Sequence, residues 1–373
     1  MILAFALIGL VLLYQIQNYL FNRLWMKNLT SDITLSADSA MEGEDLTLME
    51  SVTNRKWMPL PAVQVKFMTS RSLIFCDGEN AKISDHYYRN DMLSLMMFQR
   101  ITRTLTFRCS HRGYYTIQRI DVICSNLFMT IEHFISFDLN LTLYVYPKLI
   151  EQSRIQVPFQ KMLGTVLTKR FINEDPFEFC NIREYQSYDS QKAINWKASA
   201  KTSSLKVNIH DYTSAQQIKI LLNLEIETLR IQEDLIEECI RLAATLALNF
   251  IHHGVPVSII TNAKDILTKE RSVIPPGSGT HHNRVLMEAL SRIDSGLGTI
   301  PFLPILHDEL HHKSHNDYVI LISSYQKESH QQILIDSLKS GKEFCWFLPI
   351  NQEIRPHVKD QLASRVVPWE APV

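Results

Sequence analysis

Three histidines, His307, His311 and His315, stand at i, i+4 and i+8, with His312 beside them. On a helix such positions share one face, and two imidazoles four residues apart can hold Zn²⁺. The run His307-Asp308-Glu309-Leu310-His311 departs from the metalloprotease pattern because its Glu is displaced by one position. Nearness to Asn316-Asp317 and the following apolar run weakens a helical place for His315. The structural alternative is a solvated, histidine-rich helix or loop. His281 and His282 follow the Gly277-x-Gly279 loop at an expected helix start, where free backbone N–H groups attract anions. That glycine spacing is too short for a phosphate-loop fingerprint, so an ordinary turn is expected there. No Gly-x-Ser-x-Gly elbow occurs, and no cysteine has a recognisable histidine context for nucleophilic catalysis.

A second constellation lies mid-chain. Between Arg183 and Lys201 the sequence is polar, charged and aromatic at once, with Arg183, Glu184, Tyr185, Asp189, Lys192, Asn195, Trp196 and Lys201. Two roles suit these residue types. Arg, Glu, Asp and Lys can pair internally and lock one domain to another, since buried charges need partners. Alternatively, Arg and Trp form a protein-binding surface, where both types are enriched. Neither role is catalytic.

The elements that position these groups fall into four segments. Residues 1–22 carry no charge before Arg23, and Ile2–Leu13 is apolar apart from Gly9. A helix of that segment reaches roughly 33 Å, enough for a bilayer core. It lacks the basic start and small-residue cleavage site of a signal peptide. Arg23 and Lys27 follow directly, so the positive-inside rule places the remainder in the cytoplasm. Six dispersed cysteines, none in a Cys-x-x-Cys pair, read as reduced thiols and agree with that compartment. A balance of 38 basic against 39 acidic residues argues against a nucleic-acid partner.

Residues 30–150 show period-two alternation. Val63, Val65 and Phe67 alternate with Gln64 and Lys66, and Ile101, Leu105 and Phe107 alternate with Thr and Arg. Short strands separated by turn signals such as Asp77-Gly78 and Arg112-Gly113 predict a β-sandwich. Residues 151–215 form a mixed connector, in which Asp189 or Ser190 is expected to cap a short helix containing Ile194 and Ala198. From 216 to 373 apolar strands alternate with helices: strands at 218–224, 257–260, 318–322 and 344–348, helices at 231–250, 282–293 and 329–340, and a loop at Pro275-Pro276-Gly277. That alternation predicts a parallel sheet flanked by helices on both faces.

At this level the chain resembles the bacterial proteins called domain of unknown function 58. The matching residues are Glu42-Gly43-Glu44, Asn54 before Pro59-Leu60-Pro61, His111-Arg112-Gly113-Tyr114, Val145-Tyr146-Pro147, Arg183-Glu184-Tyr185 with Asp189, Ile194-Asn195-Trp196, Ala198-Ser199-Ala200-Lys201, and Pro276-Gly277-Ser278-Gly279. The family's Gly-Asp pair is Tyr188-Asp189 here, two of its basic positions are Lys192 and Lys201, and an Asp-Pro-Phe-Gly-like turn is replaced by Ser125-Asn126-Leu127-Phe128. Lysine keeps the charge and loses the bidentate fork. A single span is visible where the family commonly has a transmembrane hairpin.

The resemblance implies a membrane anchor, a β-sandwich and a von Willebrand A-like (Rossmann-type) α/β domain. It also implies a non-enzymatic adaptor or scaffold role with no cofactor, working with a MoxR-type AAA+ ATPase in envelope complex assembly or remodelling. The Asp-x-Ser-x-Ser run with which such domains bind Mg²⁺ corresponds to Asn223-Leu224-Glu225-Ile226-Glu227. Asn replaces the Asp and Glu225 and Glu227 replace the hydroxyls, so the expectation is a solvated acidic turn rather than a metal site. The Thr-Asp-Gly turn of the fourth strand reads Ser323-Ser324-Tyr325. The alternative function is a metal-dependent hydrolase using the histidine cluster or the Glu225/Glu227 pair.

Overall fold

The computed structural model describes residues 2–76, 81–83, 86–172, 179–186, 194–202, 204–210, 217–225, 233–311, 317–351 and 356–371. The chain divides into two compact units, Met1–Lys148 and Leu149–Val373.

The first unit opens with α1 (Ile2–Leu24). This helix is long and apolar enough to cross a membrane over Phe5–Leu24. Its last turn belongs to the sandwich core, because Phe21 and Trp25 are buried in the same cluster as Val63, Phe107 and Val145. Both rings face His133, with Trp25 stacked at 5.1 Å. Carbonyls just past a helix end have no intrahelical donor. Lys56, itself buried, supplies one: its Nζ donates to Trp25 O at 2.6 Å and Lys27 O at 3.1 Å. Burial lowers the Lys56 ammonium to about 8.

Among the described residues ten strands follow, in two sheets. One has the order β1 (Leu29–Leu35), β3 (Asp45–Asn54), β8 (Arg100–Cys109), β5 (Leu73–Phe75). The other has the order β2 (Ser39–Met41), β10 (Glu132–Tyr146), β9 (Gly113–Ser125), β4 (Leu60–Ser70), β7 (His86–Leu95), β6 (Ala81–Ile83). Every pairing is antiparallel except β2 with β10. The expected alternation appears in burial: Val65 and Phe67 are buried in β4, and Leu105, Phe107 and Cys109 in β8. Each sheet turns one face to a shared apolar core.

That core also holds charge. Asp91 is fully buried, and Arg89 donates to it at 2.6 Å while Arg103 lies at 3.1 Å. Glu50, on the buried face of β3, joins them with neither carboxylate oxygen hydrogen-bonded. Desolvation, and then the Asp91 charge, raise its carboxyl to about 7 against the pull of Arg103 and Arg89.

The second unit is a mixed α/β fold. Its main sheet has the order β15 (Arg271–Gly277), β14 (Val257–Asp265), β13 (Gln217–Leu222), β17 (Asp317–Ile322), β18 (Phe344–Ile350), β19 (Val366–Glu370), and β16 (Ile293–Thr299) pairs with β14 off that path. The pairings from β14 through β19 are parallel, whereas β15 and β16 run antiparallel to β14. Helix α4 (Glu233–His252) packs on β13, β14, β17 and β18, with α5 (Gly279–Ser291) beside it. A separate apolar cluster joins α6 (Phe302–His311) and α7 (Glu328–Lys339) to Leu221, Val319, Leu321, Phe344, Trp346 and Leu348.

Four differences from the sequence-based expectation have physical causes. Residues 152–172 form a helix, α2 (Gln152–Ile172), which buries Ile155, Phe159, Met162, Leu163 and Val166. Pro275 and Pro276 lie inside β15 rather than in a loop. That strand is the sheet edge, where a missing N–H is tolerated, and a register shift against β14 absorbs the prolines. Helix α3 (Trp196–Thr202) starts later than expected. Asn195 caps it, accepting from Ala198 N at 2.9 Å, and Ile194 bridges to Val207 instead of entering the helix. β19 closes the sheet, anchored by Trp369, whose Nε1 donates to Glu238 Oε1 at 2.7 Å.

Candidate functional site

In an open α/β sheet, ligands bind beyond the carboxyl ends of the strands where successive crossovers go opposite ways. Here that point lies between β13 and β17, because β13 leads to β14 on one side and pairs with β17 on the other. The residues that leave these two strands are Asn223 and Ser323. Both are buried, at 1% and 2% exposure.

These side chains bond to one another. Asn223 Nδ2 donates to Ser323 Oγ at 3.0 Å, and Asn262 Nδ2, from β14, donates to Asn223 Oδ1 at 3.0 Å and to Ile300 O at 3.1 Å. Asn223 Oδ1 also accepts from Glu225 N, and Asn262 Oδ1 accepts from Leu224 N at 2.9 Å. Ser323 Oγ accepts from Tyr325 N, and its carbonyl accepts from the Trp346 indole at 3.0 Å. The side-chain amide of Asn223 thus has neutral partners at both its nitrogen and its oxygen.

Glu225 is the acidic group of the site. Its Oε1 accepts from Phe302 N at 2.8 Å and so supplies an anion to the start of α6, where the helix dipole favours one. Its Oε2 faces His330 Nε2 at 3.6 Å, and neither atom has a hydrogen-bond partner among the described residues. His330 comes from α7 and is buried. Its ring lies parallel to Phe302 and edge-on to Tyr325 at 5.0 Å. Burial lowers the His330 pKa, Glu225 opposes that shift and Lys327 reinforces it. Glu225 and His330 offer two ligand atoms, whereas zinc sites use three or four protein donors. Among the described residues no third His, Cys, Asp or Glu completes such a cluster. Glu227 lies outside the described residues.

The other expected residues are distributed as follows. His307 and His311 share a face of α6, their rings stacked at 4.1 Å, and His311 Nδ1 donates to His307 O at 3.0 Å. His315 and His312 lie outside the described residues. His282 is buried, its Nε2 donating to Val257 O at 2.9 Å, and its ring fills the space a side chain on Gly277 would need. It is therefore a packing residue of the loop, not an exposed anion ligand.

In the connector, β11 (Phe179–Glu184) pairs with β12 (Lys206–His210). Arg183 Nη1 donates to Glu184 O at 3.0 Å, Lys206 Nζ donates to Glu184 Oε1 at 3.2 Å, and Tyr185 N donates to Leu205 O at 2.9 Å. Asn195 N donates to Lys206 O, which ties α3 to β12. Trp196 is 68% exposed and Lys201 is exposed too. Asp189 and Lys192 lie outside the described residues.

Asn262 and His330 belong to no sequence motif. Asn262 had a signal, being a polar interruption in the apolar run of β14, but His330 had none, since its partner is 105 positions away in sequence (330 less 225).

No family profile and no curated protein matches the chain. Among solved structures, the CARDB domain of the PF1109 protein from Pyrococcus furiosus is 18% identical, with 30% of this chain and 85% of that chain covered and a TM-score of 0.21. The major pilin SpaD from Corynebacterium diphtheriae is 13% identical, covering 31% and 34% at a TM-score of 0.23. The PapD-like domain of human CEP192 is 18% identical, covering 30% and 84% at 0.17.

Proposed function

We propose that the chain is a non-enzymatic, membrane-anchored adaptor whose second unit is a von Willebrand A-like domain that docks proteins without a bridging metal. The observation that carries this reading is the neutral Asn223–Asn262–Ser323 network, which satisfies at the switch point the groups a metal would otherwise need. Strand order supports the fold assignment. Leaving out β16, the six strands counted within their own sheet run 3-2-1-4-5-6, with an antiparallel third strand. The motifs from Arg183 to Lys201 favour a MoxR-type AAA+ ATPase as partner, in envelope complex assembly or remodelling. Trp196, exposed on α3, is the docking anchor in this reading. Helix α1 holds the chain in the membrane, and Arg23 and Lys27 orient both units toward the cytoplasm.

The test is affinity capture of the full chain from membranes with ATPase nucleotide turnover blocked. The expected result is recovery of such an ATPase, lost with Trp196→Ala while folding is unchanged. Capture that never recovers an ATPase would remove the partner. Metal-dependent hydrolysis remains the second reading on one observation only, the unpartnered Glu225 Oε2 and His330 Nε2.

A further inference from the structure

The turn between β9 and β10 carries a run of apolar side chains that its own sheet does not cover. Leu127, Phe128 and Met129 are 58%, 47% and 68% exposed. The turn is nonetheless firmly built. Asn126, at 1% exposure, accepts from Thr130 N at 2.8 Å and Ile131 N at 3.3 Å and donates to Thr130 Oγ1 at 2.9 Å. Met129 N closes the turn on Asn126 O at 2.9 Å, with Met129 in the left-handed region at φ 54°. A mobile loop would hide such side chains by collapse, whereas this turn holds them outward.

Beyond its own strands the turn is tied to α1. Asn126 Nδ2 donates to Asn18 Oδ1 at 2.8 Å, the Tyr14 and Phe128 rings meet at 5.5 Å, and Tyr14 Oη is 3.2 Å from Thr130 Oγ1. These contacts fix the depth of the turn along the helix. On α1 the uninterrupted apolar stretch ends at Leu13, and the first charge is Arg23. If α1 spans a bilayer, the boundary between hydrocarbon and headgroups falls between those residues, a rise of about 15 Å. The turn touches Tyr14 and Asn18, inside that interval. Below it, Phe21 and Trp25 are already enclosed by the sandwich core.

From this geometry we infer that Leu127, Phe128 and Met129 insert into the membrane interface beside α1, giving the sandwich a second, non-spanning lipid contact. The inference rests on the reading of α1 as a membrane anchor. One helix alone leaves a domain free to tilt about its exit point. A second apolar contact, with Tyr14 and Tyr19 inside the same interfacial interval of α1, fixes the orientation of the sandwich against the membrane. The occupant is lipid rather than protein because the patch is continuous with the exposed apolar face of α1 from Phe5 to Leu13.

The experiment places an environment-sensitive NBD label at single cysteines in the full chain, reconstituted in phosphatidylcholine–phosphatidylglycerol vesicles. Cys76 and Cys180 are replaced by Ser. The label is put at Phe128→Cys, with Leu127→Cys and Met129→Cys as alternatives should loss of the Tyr14–Phe128 contact disturb folding. Leu10→Cys reports on α1, and Met68→Cys, exposed on β4, reports on the aqueous surface. The expected result is blue-shifted emission at 127–129, quenching by shallow nitroxide lipids, and iodide accessibility several-fold below that of Met68. Lipid quenching at Leu10 with full iodide quenching at 127–129 overturns the inference and leaves the anchor standing. Shielding of 127–129 from both quenchers overturns it in favour of a protein contact. Iodide quenching at Leu10 removes the anchor and the inference together.

Discussion

Between the sandwich sheets Glu50, Asp91 and Arg89 are buried as ionisable groups, whereas at the switch point of the α/β unit Asn223, Asn262 and Ser323 are buried as neutral ones. Both clusters lie where water is excluded, and both tie strands that are distant in sequence. They differ in what removing a member does. Truncating one ion leaves its counter-ion buried and uncompensated, while truncating one amide leaves hydrogen-bonding groups unsatisfied. They differ also in pH response, because amides and hydroxyls do not titrate in the ordinary range. The sandwich cluster therefore behaves as a charge balance, and the switch-point cluster as a fixed plug.

The largest effect expected from this contrast is at Asp91. Asp91→Ala removes the carboxylate that Arg89, at 2% side-chain exposure, holds at 2.6 Å inside the core, and should destabilise the sandwich unit by about 3 kcal/mol. Denaturant-dependent hydrogen exchange resolved by unit would show the loss confined to residues before Lys148.

Glu50→Gln should act in the opposite direction, with a defined pH window. The Glu50 pKa rises from 4.5 to about 7 on folding. A raised folded-state value means that the native state holds a proton which the unfolded state has released between those two pH values. The contribution of Glu50 to stability is thus fully present below 4.5 and lost as pH rises through 7. Glu50→Gln, which cannot ionise, should stabilise the unit at pH 8 by up to about 3 kcal/mol and have its smallest effect at pH 4.5. A pH series of melting temperatures, wild type against variant, checks this. Equal offsets at every pH would contradict the charge-balance account.

Asn262→Ala gives the smaller counterpart. It removes donors to Asn223 Oδ1 and Ile300 O and the acceptor for Leu224 N. The expected cost is about 2 kcal/mol, unchanged from pH 6 to pH 9. A pronounced pH dependence would mean that Glu225 and His330, not the amides, dominate the site.

The two clusters were also unequally visible in the sequence. Asn223 stands where the sequence resemblance would put a metal-binding aspartate, so one member of the cluster could be named from the sequence. Its partners come from 39 and 100 positions away, and pairings at that range have no periodic signature. Glu50 lies on the buried face of β3 between Leu48 and Val52, while Met49 is exposed, so alternation assigns it to the core against its polarity. Nothing local identifies Asp91, Arg89 and Arg103 as its surroundings. The apolar N-terminal helix and the strands of the sandwich were visible because period and length depend on neighbours a few residues apart. Helix α2 was visible in principle, since Ile155, Phe159, Met162 and Val166 recur at helical spacing, although Pro158 interrupts the pattern. Strand β15 was hidden by Pro275-Pro276, which only its edge position makes admissible.

The plug is the centre of the account, because it separates an adaptor without a metal from a metal-dependent protein. The most direct measurement is the thermal stability of the full chain titrated with Mg²⁺, Mn²⁺ and Zn²⁺, alongside elemental analysis of the purified protein. The account predicts no stoichiometric metal and no saturable shift in melting temperature, for wild type and for Glu225→Gln alike. A saturable shift that disappears in both Glu225→Gln and His330→Ala would contradict it.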